Sequence, residues 1–153
     1  MPGYVKNALK KFNHKPSKRP EHAPHNWTAP IYGQRMQQRA TQASTAPLSS
    51  PDENQRIQAI VGTLLYYGLG IDSTILVTLN NNGGQQSTAT TNTEKKCAKL
   101  MHYLHTHPNA VVRFHASNMI LYIESDAAYL FLPQARSRVA SIFYLSNATT
   151  PSK

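Results

Sequence analysis

Apolar residues along this chain fall into two rhythms. Between residues 50 and 107 they recur every third or fourth position, and between 110 and 146 they recur at every second one. The first rhythm predicts helices. Ser50-Pro51-Asp52-Glu53 is a capping box: the serine hydroxyl is placed to accept the Glu53 N–H, and the glutamate to reach back. Behind it Ile57, Ile60, Val61, Leu64 and Leu65 form one apolar stripe, so a helix is expected to about Tyr67, with Gly68 and Gly70 ending it. Asp72 or Ser73 caps a second, short helix through Leu79, although β-branched Thr74, Ile75, Val77 and Thr78 leave a strand open there. Asn80 to Thr91 reads as a polar loop around Gly83-Gly84. A third helix, about Thr93 to His105, carries Cys97, Leu100, Met101 and Leu104 on one face and is closed by Pro108. The second rhythm predicts strands at Ala110–His115 and Met119–Ser125, joined around Ser117-Asn118. A loop from Phe131 to Ser137 then leads to a strand over Val139–Ser146.

The first fifty residues follow neither rhythm for long. Pro2 to Phe12 suits a short helix, with Val5, Leu9 and Phe12 on one side and the lysines on the other. From His14 to Ser50 the chain holds Pro16, Pro20, Pro24, Pro30 and Pro47 and reads as an extended connector with aromatic anchors at Trp27 and Tyr32. So long a stretch without its own elements is expected to pack on a partner. The division is therefore a basic arm and proline-rich connector over 1–50, a helical segment over 51–108, strands over 109–147 and a disordered tail over 148–153. The fold class is α+β: an extended basic arm, three helices, then antiparallel strands.

Charge sharpens this division. The chain has 16 Lys and Arg against 7 Asp and Glu, a formal net charge of +9. Most of that excess lies in residues 1–50, where Lys6, Lys10, Lys11, Lys15, Lys18, Arg19, Arg35 and Arg39 face only Glu21. Such a block reads first as a solvated, flexible extension. Its lysines and arginines would also neutralise phosphates and release counterions, giving sequence-independent, salt-sensitive binding. The single cysteine, Cys97, excludes an intramolecular disulfide framework and a cysteine-rich zinc site. No apolar run approaches the roughly 20 residues that span a bilayer, and Met1–Phe12 lacks the apolar stretch of a secretory signal. An intracellular chain with no membrane partner is expected, without a choice between cytoplasm and nucleus.

Candidate chemistry is sparse. His102 and His105 share a helix face at metal-ligand spacing, with His107 just beyond, but no carboxylate or cysteine completes a site. Their simpler reading is a polar helix end, and His22 and His25 are read in the same way. Cys97 reads as a small buried hydrophobe. In residues 119–130, alternation puts Ile120, Tyr122, Glu124 and Asp126 on one strand face and Met119, Leu121, Ile123 and Ser125 on the other. Asp126 can offer a carboxylate to a divalent cation, or it simply closes a strand into a turn. No nucleophile–base pair and no phosphate-cradling glycine loop supports a small-molecule enzyme.

An ordered set of short motifs resembles the Pol polyprotein of copia-like retrotransposons. They are Met1-Pro2-Gly3-Tyr4-Val5, His22-Ala23-Pro24-His25-Asn26-Trp27, Pro30-Ile31-Tyr32-Gly33, Leu65-Tyr66-Tyr67 and Ile71-Asp72-Ser73-Thr74. Thr106-His107-Pro108-Asn109-Ala110, Arg113-Phe114-His115-Ala116-Ser117, Ser125-Asp126-Ala127-Ala128-Tyr129-Leu130, Ala135-Arg136-Ser137-Arg138 and Phe143-Tyr144-Leu145-Ser146 complete the set. The resemblance implies the end of reverse transcriptase, its connection helices over 51–108 and the opening strands of a truncated ribonuclease H-like β-meander. It assigns Asp126 as the first acidic ligand of a magnesium pair, held about 4 Å apart to activate water and stabilise the leaving oxygen. The implied partners are an RNA–DNA hybrid or other nucleic acid and the remainder of the polyprotein.

The departures from that pattern decide the expected activity. No Tyr-x-Asp-Asp motif is present, so the polymerase acids are missing. The ribonuclease H glutamate and later aspartate are likewise not supplied, leaving Asp126 vestigial and magnesium not stably held. The expected function is a retroelement fragment inactive alone. The alternative is a non-specific nucleic-acid-binding module acting through Lys6, Lys10, Lys11, Lys15, Lys18 and Arg19.

Overall fold

The computed structural model describes residues 1–26, 46–132 and 136–147. Among the described residues four helices precede a two-stranded antiparallel sheet, so the fold is α+β. It divides into two compact units: the helices belong to one, described over residues 1–26 and 46–112, and the strands to the other, described over 113–132 and 136–147.

Helix α1 (Tyr4–Lys11) begins after Gly3, whose φ of 75° favours glycine, so Pro2 stands before the cap and not in the first turn. It buries Val5 and Ala8. Asn13, at φ 48°, then turns the chain out of the helix. The N–H of Asn13 donates to the Lys10 carbonyl (3.0 Å), and that of His14 to the Leu9 carbonyl (2.9 Å). This left-handed cap satisfies two end carbonyls and aims the chain at the next residues' docking site.

Helix α2 (Pro51–Gly70) starts as the capping box predicts: Ser50 Oγ accepts the Glu53 N–H at 3.2 Å. The Glu53 carboxylate pairs with Arg56 at 3.5 Å. The helix does not stop at Gly68. A Cβ there would lie 2.9 Å from Leu76 Cδ2 and 3.2 Å from Ile75 Cγ1. That glycine allows close packing instead of ending the helix. The helix ends two residues later, where the Tyr67 carbonyl accepts the N–H groups of Ile71 (2.8 Å) and Asp72 (3.1 Å).

Asp72 caps a 3-10 turn, Ser73–Ile75, through its side chain and the Thr74 N–H. Helix α3 (Leu76–Gly83) follows directly, which settles the helix-or-strand alternative. It also runs through Asn80–Gly83, where a loop is expected from sequence. Burial of Thr78, Leu79 and Asn82 against the neighbouring helices outweighs the poor helix propensity of asparagine and glycine. Helix α4 (Thr91–Thr106) begins two residues before the expected Thr93, because Thr93 Oγ1 accepts the Thr90 N–H at 3.2 Å and fixes the first turn further back.

Val5, Ala8 and Phe12 of the N-terminal region meet Ile60, Leu64 and Tyr67 of α2, Ile75 and Leu79, and Leu100, Met101 and Leu104 of α4 in one core. A smaller cluster joins Ile57, Val61, Ala89 and Cys97. No helix among the described residues is long and apolar enough to cross a membrane.

The strand unit departs from expectation twice. Ala110–His115 forms no strand, since its alternation meets no pairing partner among the described residues. Strand β1 (Ile120–Leu132) runs well past Ser125, and β2 (Arg136–Ser146) pairs with it from Ile120↔Ser146 to Leu132↔Arg136, with an irregularity between Ala128 and Leu132. Two strands are therefore described where three were expected. Opposite partners share a face, so Leu121/Leu145, Ile123/Phe143, Ser125/Ser141 and Ala127/Val139 make one side. Tyr122/Tyr144, Glu124/Ile142, Asp126/Ala140 and Ala128/Arg138 lie on the other, as the alternation predicts. Trp27, Tyr32, Arg35, Arg39 and the 148–153 tail lie outside the described residues.

Candidate nucleic-acid interface and carboxylate pair

The amphipathic pattern of α1 turns Val5 and Ala8 inward and leaves Lys6 and Lys10, one helical turn apart, exposed. Lys11 is exposed too, but its ammonium donates to Thr63 Oγ1 at 3.2 Å and lies 5.2 Å from the Phe12 ring centre. Lys15, Lys18 and Arg19 are exposed on the following segment. All six cations expected to meet phosphate are thus available to solvent in the helical unit.

The segment bearing the last three is not a detached arm within its described residues. The Glu21 N–H donates to Thr106 Oγ1 (3.0 Å), and its carboxylate pairs with Lys99 Nζ (3.0 Å). The bond from Lys99 holds the Glu21 carboxyl below its ordinary pKa. His22 Nδ1 meets His107 Nε2 at 3.1 Å, and Thr78 Oγ1 donates to the Pro24 carbonyl at 3.3 Å. The flexible-extension reading is therefore corrected over residues 14–26: proline keeps this stretch out of helix, but specific polar contacts seat it on α3 and α4.

His14 starts the seated segment, with its ring centre 4.6 Å from that of His102. His14 Nε2 and His102 Nδ1 are both buried and find no hydrogen-bond partner among the described residues. Burial, then the charges of His102, His105 and Arg56, lower the His14 pKa from 6.5 to about 4. Between these values the unfolded chain binds the proton and the folded chain does not, so stability from this residue rises with pH. It is fully present above about 6.5, is lost as pH falls toward 4, and falls no further below that. The ring is only partly buried, so after solvent screening the effect is discounted to about 1 kcal/mol. His14→Gln should lose less stability than the parent between pH 7.5 and 4.5 in urea unfolding; equal losses would remove His14 as the cause.

Cys97 is buried beside Asn82, whose Nδ2 donates to its sulfur at 3.3 Å. Burial pushes the thiol up to about 11, so it is a packing residue with little thiolate at neutral pH. This agrees with its place on the apolar stripe.

In the strand unit, Asp126 and Glu124 stand two residues apart on the same exposed face. Glu124 Oε1 accepts a hydrogen bond from Tyr144 OH at 2.7 Å, which raises the phenol's pKa. Asp126 lies inside β1 and closes no turn. Among the described residues no group of three His, Cys, Asp or Glu is arranged to hold a metal ion. Two exposed carboxylates can attract a cation weakly, but a two-metal nuclease needs a larger ligand set.

Sequence reasoning found the six cations but missed what surrounds Arg19. Ser17, Arg19, Pro20, His102, His105 and Thr106 line one cleft. The i,i+3 spacing of the two histidines was the visible signal. Their common neighbour comes from a segment more than eighty residues away in sequence, and only the fold shows it. No protein-family model, curated protein or solved structure matches this chain.

Proposed function

We propose that the chain is part of a copia-like Pol polyprotein, carrying the reverse-transcriptase connection and the opening ribonuclease H-like hairpin, and that it has no nuclease activity alone. The observation that carries this reading is the hairpin itself. Leu121, Ile123, Val139, Phe143 and Leu145 line one face, each about half exposed or more. A two-stranded hairpin with so exposed an apolar face is marginal in water, so it suits one part of a larger sheet. The motif order from Met1 to Ser146 supplies the family, and Asp126 supplies one carboxylate of the expected magnesium site. The remaining ligands would have to come from the rest of the polyprotein.

The test is cleavage of a labelled RNA–DNA hybrid by the purified chain in magnesium. No product above background is expected. Robust cleavage that disappears in Asp126→Asn would overturn the reading.

A second reading, non-specific nucleic-acid binding through the N-terminal region, is favoured by the exposure of Lys6, Lys10, Lys11, Lys15, Lys18 and Arg19. It is compatible with the first, since a Pol segment lies along nucleic acid. Its signature is an affinity that falls steeply with salt and changes little with sequence.

A further inference from the structure

The cleft beside Arg19 has a chemistry that none of the preceding roles uses. Its volume is about 260 Å³, and it opens to solvent between residues 17–20 and the last turns of α4. That is below the roughly 300–1,000 Å³ of pockets that enclose whole small molecules, so it suits a group and not a cofactor. Among the described residues no carboxylate lines it. Arg19 brings a planar fork of five N–H donors, and the two imidazoles bring ring N–H groups. The Ser17 oxygen accepts the Arg19 backbone N–H at 3.2 Å, which leaves its hydroxyl proton to donate elsewhere.

Three further observations bear on the sign of the ligand. The nearest acid along the segment, Glu21, is engaged by Lys99 at 3.0 Å. The helix end carries about half a negative charge, which opposes an anion. However, the His102 carbonyl already accepts from Thr106 Oγ1 (3.0 Å) and the Tyr103 carbonyl from the His107 N–H (2.8 Å). The full charge of Arg19 outweighs what remains. The same arginine disfavours a metal ion at the His102–His105 pair.

We propose that this cleft binds a phosphate group through Arg19, assisted by His102 and His105. The group is either a phosphodiester of a nucleic-acid strand or free phosphate. The nucleic-acid source rests on the second reading above; the anion chemistry of the cleft does not. Lys15 and Lys18 flank Ser17 along the same exposed segment and meet neighbouring phosphates when the ligand is a strand.

The experiment is a heteronuclear NMR titration of the full chain with inorganic phosphate, against sodium chloride at matched ionic strength, repeated with a short single-stranded oligonucleotide. Phosphate is expected to shift the Arg19 Nε–H and the His102 and His105 ring signals in a saturable way. Arg19→Lys, which keeps the charge and loses the fork, should weaken phosphate binding about tenfold, while Arg113→Ala, at an exposed cation outside the cleft, leaves it unchanged. Shifts no larger than those given by chloride, or equal affinity in Arg19→Lys, would overturn the proposal. Saturable phosphate binding without oligonucleotide binding would uphold the cleft with free phosphate as its ligand, and would sink the nucleic-acid reading alone. Oligonucleotide binding that moves Lys6 and Lys10 while Arg19 and the histidines stay silent toward both ligands would sink the cleft and spare that reading.

Discussion

Leu64→Ala is expected to destabilise the helical unit by about 3–4 kcal/mol, a large part of the roughly 5–15 kcal/mol that holds a domain folded. Leu64 is 0 % exposed and lies where α1, α2, α4 and the Ile75–Leu79 segment meet. Truncation removes buried methyl and methylene groups and leaves a cavity that four converging segments cannot all close. The apparent Tm should fall by more than ~10 °C. Leu69, on the same helix but 71 % exposed, provides the contrast. Leu69→Ala should change stability by less than about 0.5 kcal/mol. A Leu64→Ala protein whose stability lies within about 1 kcal/mol of the parent would mean that this core does not hold the unit together.

Neutralising Lys10, Lys11, Lys18 and Arg19 together should flatten the salt dependence of oligonucleotide binding. Each phosphate that is no longer neutralised lowers the log–log slope by about 0.7 on a single strand, so the full set removes up to roughly 3. Exposure of all four side chains lets them reach a polyanion at little structural cost. The Lys11 bond to Thr63 is the one native interaction given up among the described hydrogen bonds of these ammonium groups. Lys6 and Lys15, exposed in the same region, remain as residual cations, so binding weakens without vanishing. Circular dichroism of the variant should match the parent. A slope unchanged in the quadruple variant would exclude this region as the binding surface.

Much of the helical unit is legible in residue order because its causes are local. Ser50 caps α2, and Ile57, Ile60, Val61 and Leu64 face the core because a 3.6-residue repeat has one apolar side. Leu65, expected on the same stripe, falls at its edge and is 41 % exposed. The failures are places where a distant segment overrules a local preference. Gly68 looks like a terminator, yet α3 packs so closely against it that a side chain would collide. Asn82 looks like loop, yet it is 0 % exposed and bonded to Cys97. Ala110–His115 alternates like a strand and has no strand to pair with among the described residues.

The candidate sites divide in the same way. Residue order alone determined where the cations stand, which carboxylates share a strand face and that Cys97 is a packing residue, because charge, two-residue alternation and helical spacing are properties of neighbours in sequence. Only the tertiary structure decided that the segment after α1 is seated on α4, that the His14 ring lies against that of His102 and that Arg19 shares a cleft with His105. Those meetings depend on the left-handed turn at Asn13 and on bonds between groups some eighty or more residues apart, and no local pattern encodes such a distance.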